Sequence, residues 1–291
     1  MKKQIYGIVG YPVKHSLSPV MQNAAFRALK LDAEYHLFEV PCADFERFLE
    51  RIKLEKNISG LNVTIPYKIK AKEYLELNCS LNEDAARLGA VNTIKVSDDG
   101  SLRGFNTDGA GFYRSIVEDF NFDPAGKNIF VLGSGGAAKA IVMYLGDGPK
   151  SIYVFDLDRD KTTELKRHYK KYFEESRLNI ITDAKDIKDV LDKSDLFINA
   201  TPIGMKESDP SPIAKGFLRP GLYVYDLIYN RASTQLVKDA VSSDAHAMTG
   251  LGMLLYQGAS AFEIWTGKPA PVAVMRRELE EALKTEKKAR K

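Results

Sequence analysis

The sequence predicts an α/β protein: an N-terminal α/β domain, then a doubly wound parallel sheet built around a glycine-rich turn, then helices that finish the chain. Three observations predict it. Short apolar runs suited to buried strands alternate with amphipathic stretches of helical period along most of the chain. The stretch from Lys127 to Ala138, KNIFVLGSGGAA, joins one such run directly to a glycine turn and a helix of small residues. Beyond it, predicted strands at 178–181, 196–200 and 222–226 alternate with predicted helices at 184–193 and 233–241, the doubly wound order.

Composition sets the bounds. A chain of 291 residues, 44% of them hydrophobic, can bury a full core, and its length suggests two domains without excluding one. Its net charge of +3 with both signs interspersed leaves no nucleic-acid footprint, and the basic tail LKTEKKARK reads as a fraying, solvated helix end. Cys42 and Cys79 form neither a disulfide framework nor a metal motif, so two reduced thiols in a cytoplasmic protein are expected. The four histidines, His15, His36, His168 and His246, lack ligand spacing, so no metal is expected. No apolar run reaches membrane length, and the N-terminal stretch is broken by Gly7, Gly10 and Pro12, so neither a signal nor a membrane partner is expected.

Taken in order, residues 5–10 read as a first strand, and 11–18 loop into a helix opened by Pro19. Ser18 stands where a serine serves as a plain N-cap; together with Ser16 it also sets two hydroxyls beside a positive helix end, where a carboxylate can be held. A strand at 35–40, an amphipathic helix at 45–53 and a strand at 58–63 follow. Thr64 to Lys68 turn that strand into a helix over 69–77, with Pro66 at the corner. A cation near a helix start is disfavoured by about 0.3–1 kcal/mol, so Lys68 is either solvated or faces an anion. A short helix at 83–88 precedes a strand at 90–96, paired through the turn Asp98, Asp99, Gly100 with 102–105. Asn92 and Thr93 interrupt that strand; side chains alternate, so one of them is directed at a polar group inside the protein or on a ligand. Asp108 is the N-cap of a helix through Phe120, an ionised site residue, or both.

The apolar run from Ile129 to Leu132 breaks at Gly133, and Ala137 to Leu145 suit a buried helix. Gly133, Gly135 and Ala138 have the spacing of the dinucleotide fingerprint, in which small residues let a pyrophosphate approach the backbone and helix N-terminus. A strand at 151–155 ends at Asp156, placed either to accept hydrogen bonds from an adenosine ribose or to act as an ordinary turn residue. Thr201 to Met205 and Leu227 to Tyr229 lie past strand ends, where such sheets bind ligands. The chain ends in helices at about 252–265 and from 272; Gln257, in an apolar run, requires partners.

Six ordered stretches, SLSP (Ser16 to Pro19), NVTIPYK (Asn62 to Lys68), GAVNT (Gly89 to Thr93), NTD (Asn106 to Asp108), NATPIGM (Asn199 to Met205) and YQG (Tyr256 to Gly258), resemble the shikimate dehydrogenase family across the whole chain. The resemblance implies a substrate domain at 1–109, a Rossmann NAD(P)-binding domain at 110–246, and helices at 247–291 returning to the substrate domain, with the active site in the cleft between domains. It further implies reversible reduction of 3-dehydroshikimate to shikimate in aromatic amino acid biosynthesis, with Lys68 and Asp108 as the catalytic pair. Ser16, Ser18 and Tyr229 would hold the substrate carboxylate; Thr64, Asn92 and Gln257 would bind ring hydroxyls. The implied cofactor residues are Gly133, Ser134, Gly135, Gly136, Ala137, Asp156, Arg159, Thr201, Leu227 and Gly250. A monomer or homodimer acting on a small molecule is implied.

One stretch departs from the resemblance. Family members using NADP resemble one another in carrying Asn, Arg, Thr after the second Rossmann strand, whereas Asp156, Leu157, Asp158 and Arg159 stand here. An aspartate opposes a 2′-phosphate and suits a free ribose hydroxyl, so NAD is expected, with Arg159 as the residue able to restore NADP. The same scaffold with NAD preference resembles quinate/shikimate dehydrogenases, against which Ser18 argues because a threonine would suit quinate better. A cofactor-dependent sensor without catalysis is opposed by the intact Lys68 and Asp108.

Overall fold

The computed structural model describes residues 3–289, and side chains from residue 286 onward, including most of the basic tail, lie outside the described residues. The chain divides into two compact units, Met1–Gly111 with Leu255–Arg290, and Phe112–Leu254.

The first unit contains β1 (Gln4–Gly10), α1 (Ser18–Ala28), β2 (Ala33–Glu39), α2 (Phe45–Glu55), β3 (Gly60–Val63), α3 (Lys68–Asn78), β4 (Ser80–Leu81), α4 (Glu83–Leu88), β5 (Thr93–Val96), β6 (Leu102–Phe105) and the start of α5 (Asp108–Glu118). Its six strands lie in the order β2-β1-β3-β5-β6-β4. β1 pairs in parallel with β2 and β3, whereas β5 runs antiparallel to β3, with Asn62 opposite Thr93. That reversal positions the site: residues after β1, β3 and β6 and residues before β5 all arrive at one edge of the sheet. Phe45, Phe48, Leu49 and Ile52 of α2 and Leu61, Ile94 and Leu102 of the strands share its core.

The second unit carries β7 (Asn128–Leu132), α6 (Gly136–Leu145), β8 (Ser151–Phe155), α7 (Arg159–Tyr169), β9 (Leu178–Ile180), α8 (Ile187–Lys193), β10 (Leu196–Asn199), β11 (Tyr223–Asp226), α9 (Gln235–Val241) and β12 (His246–Thr249). The order β12-β11-β10-β7-β8-β9, with every pairing parallel, is doubly wound and reverses between β7 and β10. The sequence reading ended this segment at residue 246. A sixth strand, HAMT, instead pairs with β11 and carries the unit to Leu254; it is short and half-exposed, so it lacks the apolar run that marks the other strands. The helix α7 also escaped the reading: RDKTTELKRHY buries only Thr162, Leu165 and Tyr169. The expected helix at 184–193 is a 3₁₀ turn, Ala184–Asp186, followed by α8.

Two helices, α10 (Leu251–Thr266) and α11 (Val272–Ala289), finish the chain. α11 packs along α1. Trp265 of α10 sits on the first sheet, donating its indole N–H to the Ile94 carbonyl at 3.0 Å. Gly60 makes room for it, since a Cβ there would stand 2.4 Å from the indole ring. Among the described residues no helix is long and apolar enough to cross a membrane, and no group of three or more His, Cys, Asp or Glu side chains could hold a metal ion.

Candidate active site

The edge of the first sheet gathers most of the polar residues singled out from the sequence. The Lys68 ammonium donates to Oδ2 of Asp108 at 2.6 Å. Lys68 is the first residue of α3 and Asp108 the first of α5, so two helices begin at one place. The carboxylate is favoured at a helix start and the ammonium disfavoured, so Asp108 offsets the unfavourable position of Lys68. The sequence alternatives close accordingly: Lys68 faces an anion, and Asp108 lies inside the helix rather than capping it. Its side chain is 8% exposed and that of Lys68 23%, so the pair is drier on the acid side while the ammonium stays reachable.

Asn92 is placed just before β5, not within it, and both Asn92 and Thr93 are buried. The Asn92 amide donates to Oδ1 of Asp108 at 2.8 Å, opposite the lysine, and to the Thr107 hydroxyl at 3.0 Å. Its carbonyl oxygen accepts from the Thr107 backbone N–H at 2.9 Å and from the Thr93 hydroxyl at 2.9 Å. The Asn62 amide donates to Thr93 Oγ1 at 3.1 Å, and its carbonyl oxygen accepts from the Tyr35 hydroxyl at 2.7 Å. Burial pushes the Tyr35 hydroxyl well above the ordinary tyrosine value, with a hydrogen bond from Ser18 opposing that rise. Asn106 orients the helix start, accepting from the Asp108 backbone N–H at 3.0 Å.

The other residues singled out from the sequence are placed as follows. Thr64 follows β3 and lies against Gly10, where a Cβ would meet its methyl at 2.5 Å. Ser18 is not the N-cap expected: α1 starts at Ser18, Leu17 occupies the cap position without a side-chain hydrogen bond, and Ser16 Oγ accepts from the Ser18 N–H at 3.3 Å. The chain reaches its helix one residue early because Pro19 suits the first turn and the Ser16 hydroxyl meets the free N–H. Gln257 is brought to α5 by Gly111, where an added Cβ would stand 2.6 Å from the Gln257 backbone nitrogen. Asp108 and Gly111, three residues apart, share a helix face, so Gln257 lies on the face that carries the carboxylate. Tyr229 lies past β11 in the second unit and is 36% exposed.

In the second unit the glycine turn stands at the switch point. Gly133 has φ +103°, and an added Cβ would be 3.0 Å from the Ala200 carbonyl after β10. Gly135 is the cap residue of α6, and Gly136 and Ala137 open its first turn. A Cβ added to Gly135 or Gly136 would meet no neighbouring protein atom within 4 Å, so the helix N-terminus is open to a phosphate. Asp156 Oδ2 accepts from the Ser134 N–H at 2.7 Å and its hydroxyl at 2.8 Å, and Oδ1 accepts from the Asp158 N–H at 2.9 Å. Partial burial would raise the Asp156 carboxyl, but these bonds outweigh it and hold it below the usual carboxylate range. Arg159, the first residue of α7, turns its guanidinium to the Thr182 carbonyl at 3.3 Å. Thr201 is bonded to Asn199 at 2.7 Å, Leu227 donates its N–H to the Asn199 carbonyl, and a Cβ on Gly250 would meet the Leu227 carbonyl at 2.3 Å. These residues therefore share the carboxyl edge of the second sheet, and the glycine turn with its open helix end fits a dinucleotide.

A dinucleotide edge on one sheet and a half-buried lysine–carboxylate pair on the other belong to a nicotinamide-dependent oxidoreductase. Comparison with known proteins narrows that class: residues 8–94 match the shikimate dehydrogenase substrate binding domain and 250–280 the shikimate 5′-dehydrogenase C-terminal domain. The chain belongs to the shikimate dehydrogenase family. It is 41% identical over 96% of both chains to a shikimate dehydrogenase (NADP(+)) of Methanopyrus kandleri. It is also similar to a crystal structure of shikimate dehydrogenase in complex with NADP+, with a TM-score of 0.88 at 36% identity, covering 97% of this chain and 96% of that one. A third similarity is to the shikimate 5-dehydrogenase of Listeria monocytogenes in complex with shikimate and NAD, with a TM-score of 0.86 at 32% identity over 95% and 96% of the two chains.

Tyr35, Asn62, Thr107 and Gly111 were not assigned roles from sequence. Asn62 lies in a quoted motif, but a polar residue inside a four-residue buried strand was the only available sign of it.

Proposed function

We propose that the protein interconverts 3-dehydroshikimate and shikimate using NAD(P), with Lys68 and Asp108 as the catalytic pair. The observation that carries this reading is the 2.6 Å contact between them at the joint start of two helices. The bound nicotinamide supplies or accepts the hydride. Lys68 Nζ gives a proton to the oxygen that becomes the shikimate hydroxyl during reduction and takes it back during oxidation. Asp108 holds the ammonium in place with Oδ2, while Asn92 holds Oδ1, so the carboxylate cannot swing. Positive charge at the start of α3 adds to that of the ammonium, which favours negative charge developing on the substrate oxygen.

The substrate carboxylate is assigned to Ser16, Ser18 and Tyr229, and the ring hydroxyls to Thr64, Asn92 and Gln257. The dinucleotide is assigned to Gly133, Ser134, Gly135, Gly136 and Ala137, with Asp156, Thr201, Leu227 and Gly250. Between the two cofactors, NAD is favoured. A carboxylate has about four acceptor positions, of which Asp156 uses three on Ser134 and Asp158, leaving one for a ribose hydroxyl. A 2′-phosphate would meet a carboxylate held ionised, with Leu157 exposed beside it and Arg159 turned to Thr182. Steady-state assay of shikimate and quinate, each with NAD and NADP, tests the reading. Highest kcat/KM for shikimate with NAD is expected; no turnover of shikimate with either cofactor would end it.

A further inference from the structure

The hydrogen bonds behind Asp108 form a chain with one direction. The Tyr35 hydroxyl donates to Asn62 Oδ1 at 2.7 Å, and the Asn62 amide donates to Thr93 Oγ1 at 3.1 Å. Thr93 Oγ1, accepting that hydrogen bond, donates its own hydroxyl hydrogen toward Asn92 Oδ1 at 2.9 Å, and the Asn92 amide donates to Asp108 Oδ1 at 2.8 Å. Asn62 also donates to the Asn92 backbone carbonyl at 3.3 Å, and Thr107 N–H to Asn92 Oδ1 at 2.9 Å, so both amides are held in the orientation the chain needs. Tyr35, Asn62, Asn92 and Thr93 are all buried, and an unmade bond among them has no solvent to replace it. The Tyr35 hydroxyl also takes a hydrogen bond from Ser18, and its backbone is held by Asn23, which accepts from the Tyr35 N–H at 2.9 Å and donates to its carbonyl at 3.0 Å.

We propose that Tyr35 is a positioning residue for catalysis, its hydroxyl holding Asn62, Thr93 and Asn92 in register so that the Asp108 carboxylate presents Oδ2 to Lys68. This rests on the catalytic reading of Lys68 and Asp108. Without the tyrosine hydroxyl, Asn62 Oδ1 is left buried without its 2.7 Å donor, the Asn62 amide rotates to find another, and the bond that orients Thr93 is lost. Asn92 Oδ1 then loses its Thr93 donor and keeps the Thr107 N–H, and the carboxylate gains freedom in the direction that matters for the ammonium.

The test is Tyr35→Phe in the full chain, which removes one oxygen and keeps the ring. We expect kcat for shikimate oxidation to fall about tenfold while KM for the cofactor stays within twofold. The decisive readout is a double-variant cycle with Asn92→Ala. If Tyr35 acts through Asn92, adding Tyr35→Phe to Asn92→Ala costs no further activity, whereas a structural role would multiply the two losses. Should Tyr35→Phe fold poorly, as thermal unfolding would reveal, Thr93→Val breaks the same chain at another link and is put through the same cycle. Multiplied losses, or kcat within twofold of wild type in both Tyr35→Phe and Thr93→Val, would overturn the proposal. Lys68→Ala run in parallel separates the two ideas: full turnover there removes the catalytic reading itself, while a dead Lys68→Ala with multiplied losses in the cycle removes only the role of Tyr35.

Discussion

Replacing Gly111 by alanine sets two known effects against each other. In the interior of a helix, alanine is favoured over glycine by about 1 kcal/mol, so propensity alone makes Gly111→Ala stabilising. The new Cβ would lie 2.6 Å from the Gln257 backbone nitrogen, 2.8 Å from its Cβ and 2.9 Å from its Cα. Ordinary carbon contacts begin near 3.5 Å, so α10 must withdraw by roughly 0.6–0.9 Å, and backbone atoms cannot swing aside as a side-chain tip can. Overpacking of this kind costs about 1–3 kcal/mol, which cancels or outweighs the propensity gain. Under the proposed assignment of Gln257 to a ring hydroxyl, function suffers more than stability, because Gln257 is the residue displaced and an error of about 1 Å in a positioning group can cost up to about 10²-fold in rate. Steady-state kinetics and thermal unfolding of Gly111→Ala should therefore show kcat/KM for shikimate down about 10- to 100-fold, Tm unchanged or a few degrees lower, and KM for the cofactor unaltered. A higher Tm with wild-type kcat/KM would refute the reasoning, since it would mean that α10 does not rest on Gly111.

Two further substitutions probe the assigned binding groups. Asp156→Asn combined with Leu157→Arg should move preference towards NADP by about 10- to 100-fold in the ratio of kcat/KM values, the sum of removing a like charge and adding a guanidinium fork; an unchanged ratio would take the ribose assignment from Asp156. Ser16→Ala should raise KM for shikimate by about 10- to 100-fold with kcat little changed, since a hydrogen bond to a charged group contributes about 1.5–3 kcal/mol in ground and transition states alike; a fall in kcat alone would contradict the carboxylate assignment.

Much of this architecture was legible because the relevant signals are local. The apolar run into Gly133 marks β7 and its turn, and a lysine at an unfavourable helix start signals a missing anion. Asn62 and Tyr35 were illegible for the opposite reason: their partners are 30 to 31 and 27 residues away, and nothing local requires them to meet. Gly111 reads as a flexible helix residue until the helix against it is known. Asn92 was placed inside a strand because its apolar neighbours Ala90 and Val91 continue the pattern, although the ladder starts only at Thr93. Ser18 was read as a cap from residue type alone, whereas the preceding loop delivers Leu17 to that position and turns Ser16 back to the Ser18 N–H. At the far edge of the second sheet, the half-polar β12 carries too few apolar residues to announce a strand.

In the proposed mechanism Lys68 moves the proton that accompanies hydride transfer. Lys68→Ala tests it most directly, with turnover of shikimate measured by cofactor absorbance and shikimate affinity measured separately by calorimetry. The expected result is kcat reduced by about 10²–10⁴ with the shikimate Kd within about tenfold of wild type. Turnover at the wild-type rate in that variant would contradict it.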